Sequence, residues 1–408
     1  MKKICFLTFV YPYGYYNASA ACSTRIMRAL SEDPDIEVHC ISYKQEDSNV
    51  QPYPTIPKVR IHTIPLSART IKSRFREHIQ MVLRLPIYPF FSLIRVWKHY
   101  KACKEICEKE KFDLVIAQYF PEDSAFAGTL LKQNGIIPKL VVIFWDNIYG
   151  MKQARFIPKQ FALRRKKRAE NFIAKNANNL ISLYPLKPYH LQFGELLSAI
   201  GKRSYLGIPS VLPPIKPVET EYLDVVKKNR INLLYSGSII KPQFVYKFIE
   251  ILNTYPAAKK FNLIFFSRGL SSEEFDILRM KFKGTIQSPG YIPIVELLSI
   301  YNYVDAFISF PGDTRSICSK VFEYMSYGHP ILILYNDPAD VNVATFSKYP
   351  LCQCIDVNEN NNLLHPIIDE FIGSKIGRKV PFSKVEELFV LDTPGAYTSF
   401  LKKILNAN

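Results

Sequence analysis

C-S-K-V-F-E-Y-M-S-Y-G-H-P-I-L-I-L, residues 318–334, holds a helix start, a glycine stop and a strand in one short run. Ser319 and Lys320 fall where the helix begins. Glu323 lies one turn on, Gly328 ends the helix and Pro330 opens the apolar run I-L-I-L. A helix start favours phosphate, because unpaired N–H groups and the positive dipole end converge there. Lys320 adds a point charge, and a carboxylate one turn further on can accept from two sugar hydroxyls. The same i,i+3 spacing also fits an amphipathic helix carrying a surface salt bridge.

Outward from this segment, short apolar runs alternate with helical patterns, the mark of α/β domains with parallel sheets. In the second half, strands are predicted at 231–236, 262–267, 306–310 and 331–335. Helices are predicted at 244–253, 273–281, 295–301 and 321–327. The first half shows the same rhythm, with strands at 4–10, 37–43, 113–118, 139–144 and 180–183. Its helices are placed at 23–30, near 97–110 and from about 164 to 177. Between the halves, G-I-P-S-V-L-P-P-I-K-P-V-E (207–219) carries four prolines, which fix φ and remove donors, as in a stiff linker. The predicted organisation is a domain at 1–206, the linker, a domain at 220–392, and a tail at 393–408 forming a last helix that packs back on the first domain. Two such sheets leave an interdomain cleft, with ligands beyond the carboxyl ends of the strands.

Bulk composition excludes several classes. The 408 residues suit two to three domains of about 150 residues each. At 48% hydrophobic and 22% charged, the chain is globular and not disordered. Eight irregularly spaced cysteines give neither a disulfide scaffold nor a zinc spacing, and fit reduced buried thiols. The start, M-K-K-I-C-F-L-T-F-V, reads as a first strand and not a signal peptide. No apolar run is long enough to span a membrane. Neither a Walker loop nor a G-x-G-x-x-G after the first strand is present, which argues against a nicotinamide enzyme. No metal cluster is apparent.

The 318–334 segment resembles the nucleotide-sugar signature of GT-B glycosyltransferases, family 4 in particular. G-Y-I-P-I-V-E-L-L-S-I-Y-N-Y-V-D-A-F-I-S (290–309) resembles the element before it in those enzymes. L-L-Y-S-G-S-I-I-K (233–241) resembles their first donor-domain strand and glycine turn. In the first half, Y-P-Y-G-Y-Y-N-A-S-A-A-C-S-T-R resembles their amino-terminal loop, and A-E-N-F-I-A-K-N-A-N-N-L-I-S-L (169–183) the helix and strand that close the first domain. The resemblance implies the GT-B architecture, two Rossmann-like domains facing a cleft.

Residue by residue, it implies that Glu323 holds the nucleotide ribose and that Ser319 and Lys320 meet the donor diphosphate. Gly237 would let backbone approach the phosphates, with Ser238 where the common pattern has Arg and Lys241 as the following base. Tyr291 and Ile292 would lie beside the nucleobase, and Gly14 and Asn17 near the donor phosphate. One departure stands out: eight residues before Glu323 the pattern's first glutamate is replaced by Arg315, and Asp313 is the nearby candidate to serve the transferred sugar, although P-G-D-T is also a plain turn. Asp146, just past the 139–144 strand, is the candidate for the acceptor hydroxyl, or a turn former; Trp145 stands where relatives often have His. Glu122 and Asp123 are weaker candidates, and His190 and His329 read as lone histidines. No D-x-D motif sits at a strand end, and the resemblance implies a retaining, metal-independent transfer with no cofactor beyond the nucleotide-sugar substrate.

The net charge of +17 resides in two stretches. Residues 58–111 hold 13 Lys and Arg against 4 Glu, and 152–175 hold 9 against 1. Arg74, Arg76 and Arg84 interleave with aromatics, and Arg164, Arg165, Lys166, Lys167 and Arg168 form a basic run. Such patterns suit an anionic membrane face, RNA or a merely solvated surface. The membrane reading is preferred, since no nucleic-acid motif is present. The expected protein is a cytoplasmic enzyme, peripheral at the inner face of the membrane. It would pass a sugar from a nucleotide diphosphate to a hydroxyl of a glycan or lipid-linked acceptor, in surface polysaccharide or glycoconjugate synthesis. The alternatives are a nucleotide-sugar epimerase of the same two-domain plan, or an inactive partner subunit, for which Arg315 is the motive.

Overall fold

A computed structural model describes residues 1–10, 18–44, 58–65, 79, 93–119, 122–146, 148–149, 158–312 and 314–407. The chain forms two parallel-sheet α/β units, 1–209 with 394–408, and 210–393.

The first unit runs β1 (Lys2–Val10), α1 (Ala18–Ser31), β2 (Ile36–Lys44), β3 (Val59–Pro65), α2 (Leu93–Glu110), β4 (Leu114–Tyr119), α3 (Asp123–Gln133), β5 (Leu140–Phe144), α4 (Lys159–Asn176), β6 (Asn179–Leu183), α5 (Lys187–Leu191) and β7 (Arg203–Leu206). Its seven strands are ordered β3-β2-β1-β4-β5-β6-β7, all parallel. β4 (L-V-I-A-Q-Y) and β5 (L-V-V-I-F) are buried along their whole length, because a parallel sheet is covered by helices on both faces. The side-chain amide of Gln118 donates to Ser23 Oγ and ties α1 to β4.

In the second unit come β8 (Ile231–Ser238), α6 (Gln243–Thr254), β9 (Phe261–Arg268), α7 (Ser272–Lys281), β10 (Thr285–Gln287), α8 (Ile294–Ile300), β11 (Ala306–Ser309), α9 (Ser319–Ser326), β12 (Ile331–Tyr335), α10 (Val341–Phe346), β13 (Cys352–Asp356), α11 (Asn361–Glu370) and α12 (Phe382–Leu388). The order is β10-β9-β8-β11-β12-β13, so the chain reverses direction across the sheet between β8 and β11. α7 opens with a capping box. Ser271 Oγ accepts from Glu274 N–H at 3.2 Å, and the Glu274 carboxylate accepts from Ser271 N–H at 2.8 Å.

The proline-rich segment is tied to the second unit through its few remaining donors. The N–H groups of Ser210 and Val211 reach the carbonyl of Asp392 at 2.9 and 3.0 Å. Leu212 N–H donates to Ser326 Oγ and Val218 N–H to Ser299 Oγ. The last helix, α13 (Pro394–Asn406), belongs to the first unit. There Tyr397 Oη donates to the carbonyl of Gly207 at 2.7 Å, Lys402 pairs with Asp33, and Lys139 reaches the carbonyls of Ile404 and Leu405.

Gly328 closes α9 at φ +76°, and a Cβ there would sit on the carbonyl oxygen of Val380, whose N–H donates to Gly328 O at 2.9 Å. Gly328→Ala is therefore expected to destabilise the second unit by about 2 kcal/mol or more. Chemical denaturation of variant and parent checks this: the transition of the second unit should move to lower denaturant, and an unchanged midpoint would contradict the reading.

Candidate functional site

In the second unit the residues singled out from sequence gather at the carboxyl ends of β8, β9 and β11. Ligands of open parallel sheets bind on this side, at the point where strand order reverses. β8 ends in Gly237 at φ +134° and the exposed Ser238. A Cβ at Gly237 would meet only ordinary contacts, so the backbone angle, and not crowding, asks for glycine. Ser238 also gives its carbonyl to Tyr235 Oη at 2.9 Å.

α9 starts at Ser319, with Cys318 at its N-cap position. The loop that delivers the helix is held by Asn342. Its Oδ1 accepts from Cys318 N–H at 2.8 Å, and its Nδ2 donates to Ser316 O at 2.9 Å. Asp340 in turn accepts from the backbone and side-chain N–H of Asn342 at 2.9 and 2.8 Å. Burial and the nearby Asp337 raise the Asp340 carboxyl above its ordinary range, against the Asn342 bonds and the charge of Lys241. Lys241, which lies over the Phe244 ring, is thus close to the same loop.

One turn into α9, Lys320 Nζ meets Glu323 Oε2 at 2.8 Å. This is the salt bridge allowed by the spacing, but it is not a surface pair, since the Glu323 residue is only 8% exposed. Tyr324, fully buried, anchors the helix. Its hydroxyl accepts from Ser236 N–H at 2.8 Å and donates to Ser236 O at 3.0 Å, and its ring stacks on Phe307 at 4.2 Å. One strand over, Arg268 pairs with Ser238 across β8 and β9 and lays its guanidinium 4.5 Å from the ring centre of Tyr291. Tyr291 is 66% exposed, whereas Ile292 is buried. Any contact of Ile292 with a ligand is therefore a backbone one. His329 is buried as well: its carbonyl accepts from Tyr349 Oη and its Nε2 has no hydrogen-bond partner among the described residues.

In the first unit, Asp146 follows β5 and lines a concavity with Phe144, Ser182 and His190. Trp145 turns the other way, buried 5.8 Å from the Tyr397 ring. Asp123 is fully buried, with Arg95 Nε 3.4 Å from its Oδ2, and burial pushes the Glu122 carboxyl up. Asp123 thus faces the interior of the unit, and Glu122 is half-buried.

The basic run needs a correction. Arg165 and Lys166 are 7% and 4% exposed, because 162, 165, 166, 169, 170 and 173 form the inward face of α4. Lys166 donates to the carbonyl of Tyr149 at 3.2 Å, and burial lowers the Arg165 guanidinium from its ordinary value. Arg164 and Arg168 are exposed and Lys167 is half-buried. Gly14, Asn17, Arg74, Arg76, Arg84 and Asp313 lie outside the described residues.

Sequence reasoning did not single out Tyr324, Asn342, Asp340 or Arg268. D-x-N before an apolar run is a capping signal that marks the start of α10. Nothing local marks Tyr324, whose partner lies 88 positions away. Among the described residues no group of three His, Cys, Asp or Glu could hold a metal ion, and no helix is long and apolar enough to cross a membrane.

No protein-family model matches the chain, and no curated protein matches it by sequence. Solved structures do. A sucrose-phosphate synthase from Thermosynechococcus elongatus is 14% identical, with a TM-score of 0.64 over 99% of this chain and 98% of that one. Anabaena Alr3699/HepE, solved in complex with UDP and glucose, is 11% identical, with a TM-score of 0.62 over the whole of both chains. The UDP-GlcNAc 2-epimerase from Methanocaldococcus jannaschii is 12% identical, with a TM-score of 0.58 over 99% and 100%. At such identities the likeness is one of fold: two parallel-sheet α/β domains, as in GT-B glycosyltransferase structures.

Burial holds the imidazoles of His99 and His329 down to about 4, with Lys379 adding to the shift at His329. An unfolded histidine titrates near pH 6.5, so below that the unfolded chain binds protons that the folded one refuses. Their contribution to stability is full above about pH 6.5 and declines as pH falls towards 4. Thermal melts from pH 7 to pH 4 should show this loss, and His329→Gln should flatten it in the second unit; a variant slope equal to the parent's would contradict it.

Proposed function

We propose that the chain is a glycosyltransferase, related to family 4, that binds a nucleoside-diphosphate sugar in its second unit. The observation that supports this most is the pairing of Lys320 with the buried Glu323 at the start of α9, a helix pinned by Tyr324 to the strand that ends in Gly237. Backbone N–H groups of the helix start, with Lys320 and Lys241, meet the diphosphate. Glu323 accepts from the ribose hydroxyls, and Tyr291 offers its exposed ring to the base.

In the transfer, the bond between the sugar's anomeric carbon and the diphosphate oxygen breaks as a bond to the acceptor oxygen forms. The diphosphate takes up negative charge, and a preorganised set of N–H dipoles and ammonium groups stabilises it most at that moment. This charge needs no metal when such groups supply the compensation, so the transfer is read as metal-independent, with no cofactor beyond the donor. The acceptor is a hydroxyl of a glycan or lipid-linked sugar, and Asp146 receives its proton. Asp313 contacts the transferred sugar in place of the glutamate replaced by Arg315, and the acceptor oxygen enters on the face that the diphosphate leaves, so the anomeric configuration is retained.

A second reading has the likeness to a UDP-GlcNAc 2-epimerase in its favour. Product analysis separates the two: an epimerase interconverts the donor sugar with no acceptor present, whereas the transferase gives a new glycoside. An inactive partner subunit would bind nucleotide and yield neither product.

Membrane association completes the proposal, at the cytoplasmic face where nucleotide sugars meet lipid-linked acceptors. Arg164 and Arg168, joined by the exposed Lys175, form one stripe of α4. Ser198 Oγ bonds Asn171 on that stripe at 2.7 Å and brings a loop carrying Leu197, 89% exposed, and Ile200, 60% exposed. Cations beside bare aliphatic side chains suit an anionic lipid surface.

Calorimetry with UDP and UDP-glucose tests the donor site. Glu323→Ala should weaken binding about tenfold or more, the value of a charge-assisted hydrogen bond of about 1.5–3 kcal/mol; unchanged affinity would overturn the assignment. For the membrane, changing Arg164, Lys167 and Arg168 to Glu should sharply reduce sedimentation with phosphatidylglycerol vesicles, since each base near such a surface contributes about 1 kcal/mol. Equal pelleting would remove this part of the proposal.

A further inference from the structure

β13 forms one edge of its sheet and pairs with β12. Alternation along the strand sends Ile355 into the core and puts Cys352 and Cys354 together on the opposite face. Their sulfurs lie 3.8 Å apart, joined by a thiol hydrogen bond. The two differ in access: Cys352 is buried and Cys354 is half-buried. After α11 the chain makes a π turn, Phe371–Lys375, and Lys375 reaches back to donate to the carbonyl of Cys352.

This arrangement separates the roles of the two sulfurs. Cys354 is held below its ordinary value, chiefly by the S–H that Cys352 donates to it, with burial opposing and the charge of Lys375 adding. Cys352, the donor, is pushed up. Asp340, at the start of α10, acts against ionisation of Cys354 without reversing it. Tyr335 and Tyr349, also beside the pair, are raised by burial and stay neutral. The other thiols supply the contrast. Burial pushes Cys40 and Cys107 up to about 12 and raises Cys5, Cys103 and Cys318 as well. Such thiols are inert, whereas a reachable thiolate beside a second thiol is a reactive combination. A bridge between positions two apart closes so short a loop that it constrains the unfolded chain little, so stability does not explain the pair.

We infer that Cys352 and Cys354 form a reversible, peroxide-reactive dithiol, with Cys354 as the attacking sulfur and Cys352 as the resolving one. The Cys354 thiolate attacks the terminal oxygen of a hydroperoxide and the O–O bond breaks. Cys354 becomes a sulfenic acid, and the leaving oxygen departs as an alkoxide or hydroxide that takes a proton from water. Cys352 then attacks the Cys354 sulfur, the S–O bond breaks, and the thiol proton leaves with the hydroxyl as water. Two electrons pass from the pair to the peroxide, and a thiol reductant returns them. The sulfurs must close to about 2.05 Å, and an edge strand, with a neighbour on one side, has room to pucker. The inference rests on no part of the transferase reading.

Mass spectrometry of the folded full chain tests it. The reduced protein is treated with hydrogen peroxide, quenched with catalase, alkylated with iodoacetamide under denaturing conditions and cut with trypsin, which releases 349–375 with these two cysteines alone. That peptide should lose two hydrogens and take no alkyl group at peroxide doses that leave the other six cysteines alkylated, and dithiothreitol should restore both thiols. Cys352→Ser should stop the reaction at a sulfenic acid on Cys354, trapped by dimedone, and Cys354→Ser should leave Cys352 a thiol. Lys375→Gln should slow the oxidation about threefold or more, as expected for a lost neighbouring cation, and Lys375→Arg should keep the rate. Melting curves show which variants are folded, and the parent protein decides the question if none is. Both thiols still alkylated in the parent, a bridge between two chains in place of the internal one, or a sulfenic acid that persists in the parent would each overturn the inference.

Discussion

One phenol hydroxyl sets the geometry on which the second unit's site depends. Tyr324 Oη closes on both the N–H and the C=O of Ser236, one residue before Gly237. A buried tyrosine hydroxyl without partners is costly, so this double bond is enforced and not incidental. It fixes the helix that carries Lys320 and Glu323 to the strand that ends in the glycine turn. The stack on Phe307 locks the same ring against β11. A helix start, a glycine turn and two charged side chains are thereby held on one side of one sheet, at its reversal point. Asn342 does the corresponding work from the other direction, by holding the loop that enters the helix.

Charge is handled differently in the two units. In the second, Lys320 pairs with the buried Glu323 at the helix start, where an incoming diphosphate would compete for Lys320 and free Glu323 for a hydroxyl. In the first, five side chains from α4, β7 and the segments at 149, 190 and 195 lock one another. Networks of buried charge rigidify what they touch. They touch Ser182 and His190. The proposed donor end is thus arranged around exchangeable ion pairing.

What the sequence disclosed follows from how local each signal is. The strand at 331–335 coincides with β12, and I-N-L-L-Y-S marks β8, because a buried parallel strand is a continuous apolar run. β3, V-R-I-H-T-I-P, is an edge strand with polar residues between its apolar ones, and β7 has only four residues. Neither stands out as a run. α3 was hidden for another reason: it packs on β4 through Gly128, where a Cβ would lie 3.0 Å from Ala117 Cβ, and Ala125 and Ala127 are buried beside it in the chain. Small residues chosen for close approach leave little apolar periodicity. At the site, Glu323, Lys320 and Gly237 were readable from short motifs. His190 read as solitary because its neighbours, at 149, 170 and 195, come from separate parts of the chain. The run at 164–168 read as one basic surface, although a helical turn of about 3.6 residues must send part of it inward.

The central claim is that the start of α9 receives a nucleoside diphosphate, and hydrogen exchange of the full chain with and without UDP measures this most directly. The account predicts slowed exchange at the amides of 318–321 and 237–238. UDP that binds without protecting 318–321, or that protects a different part of the second unit, would contradict it.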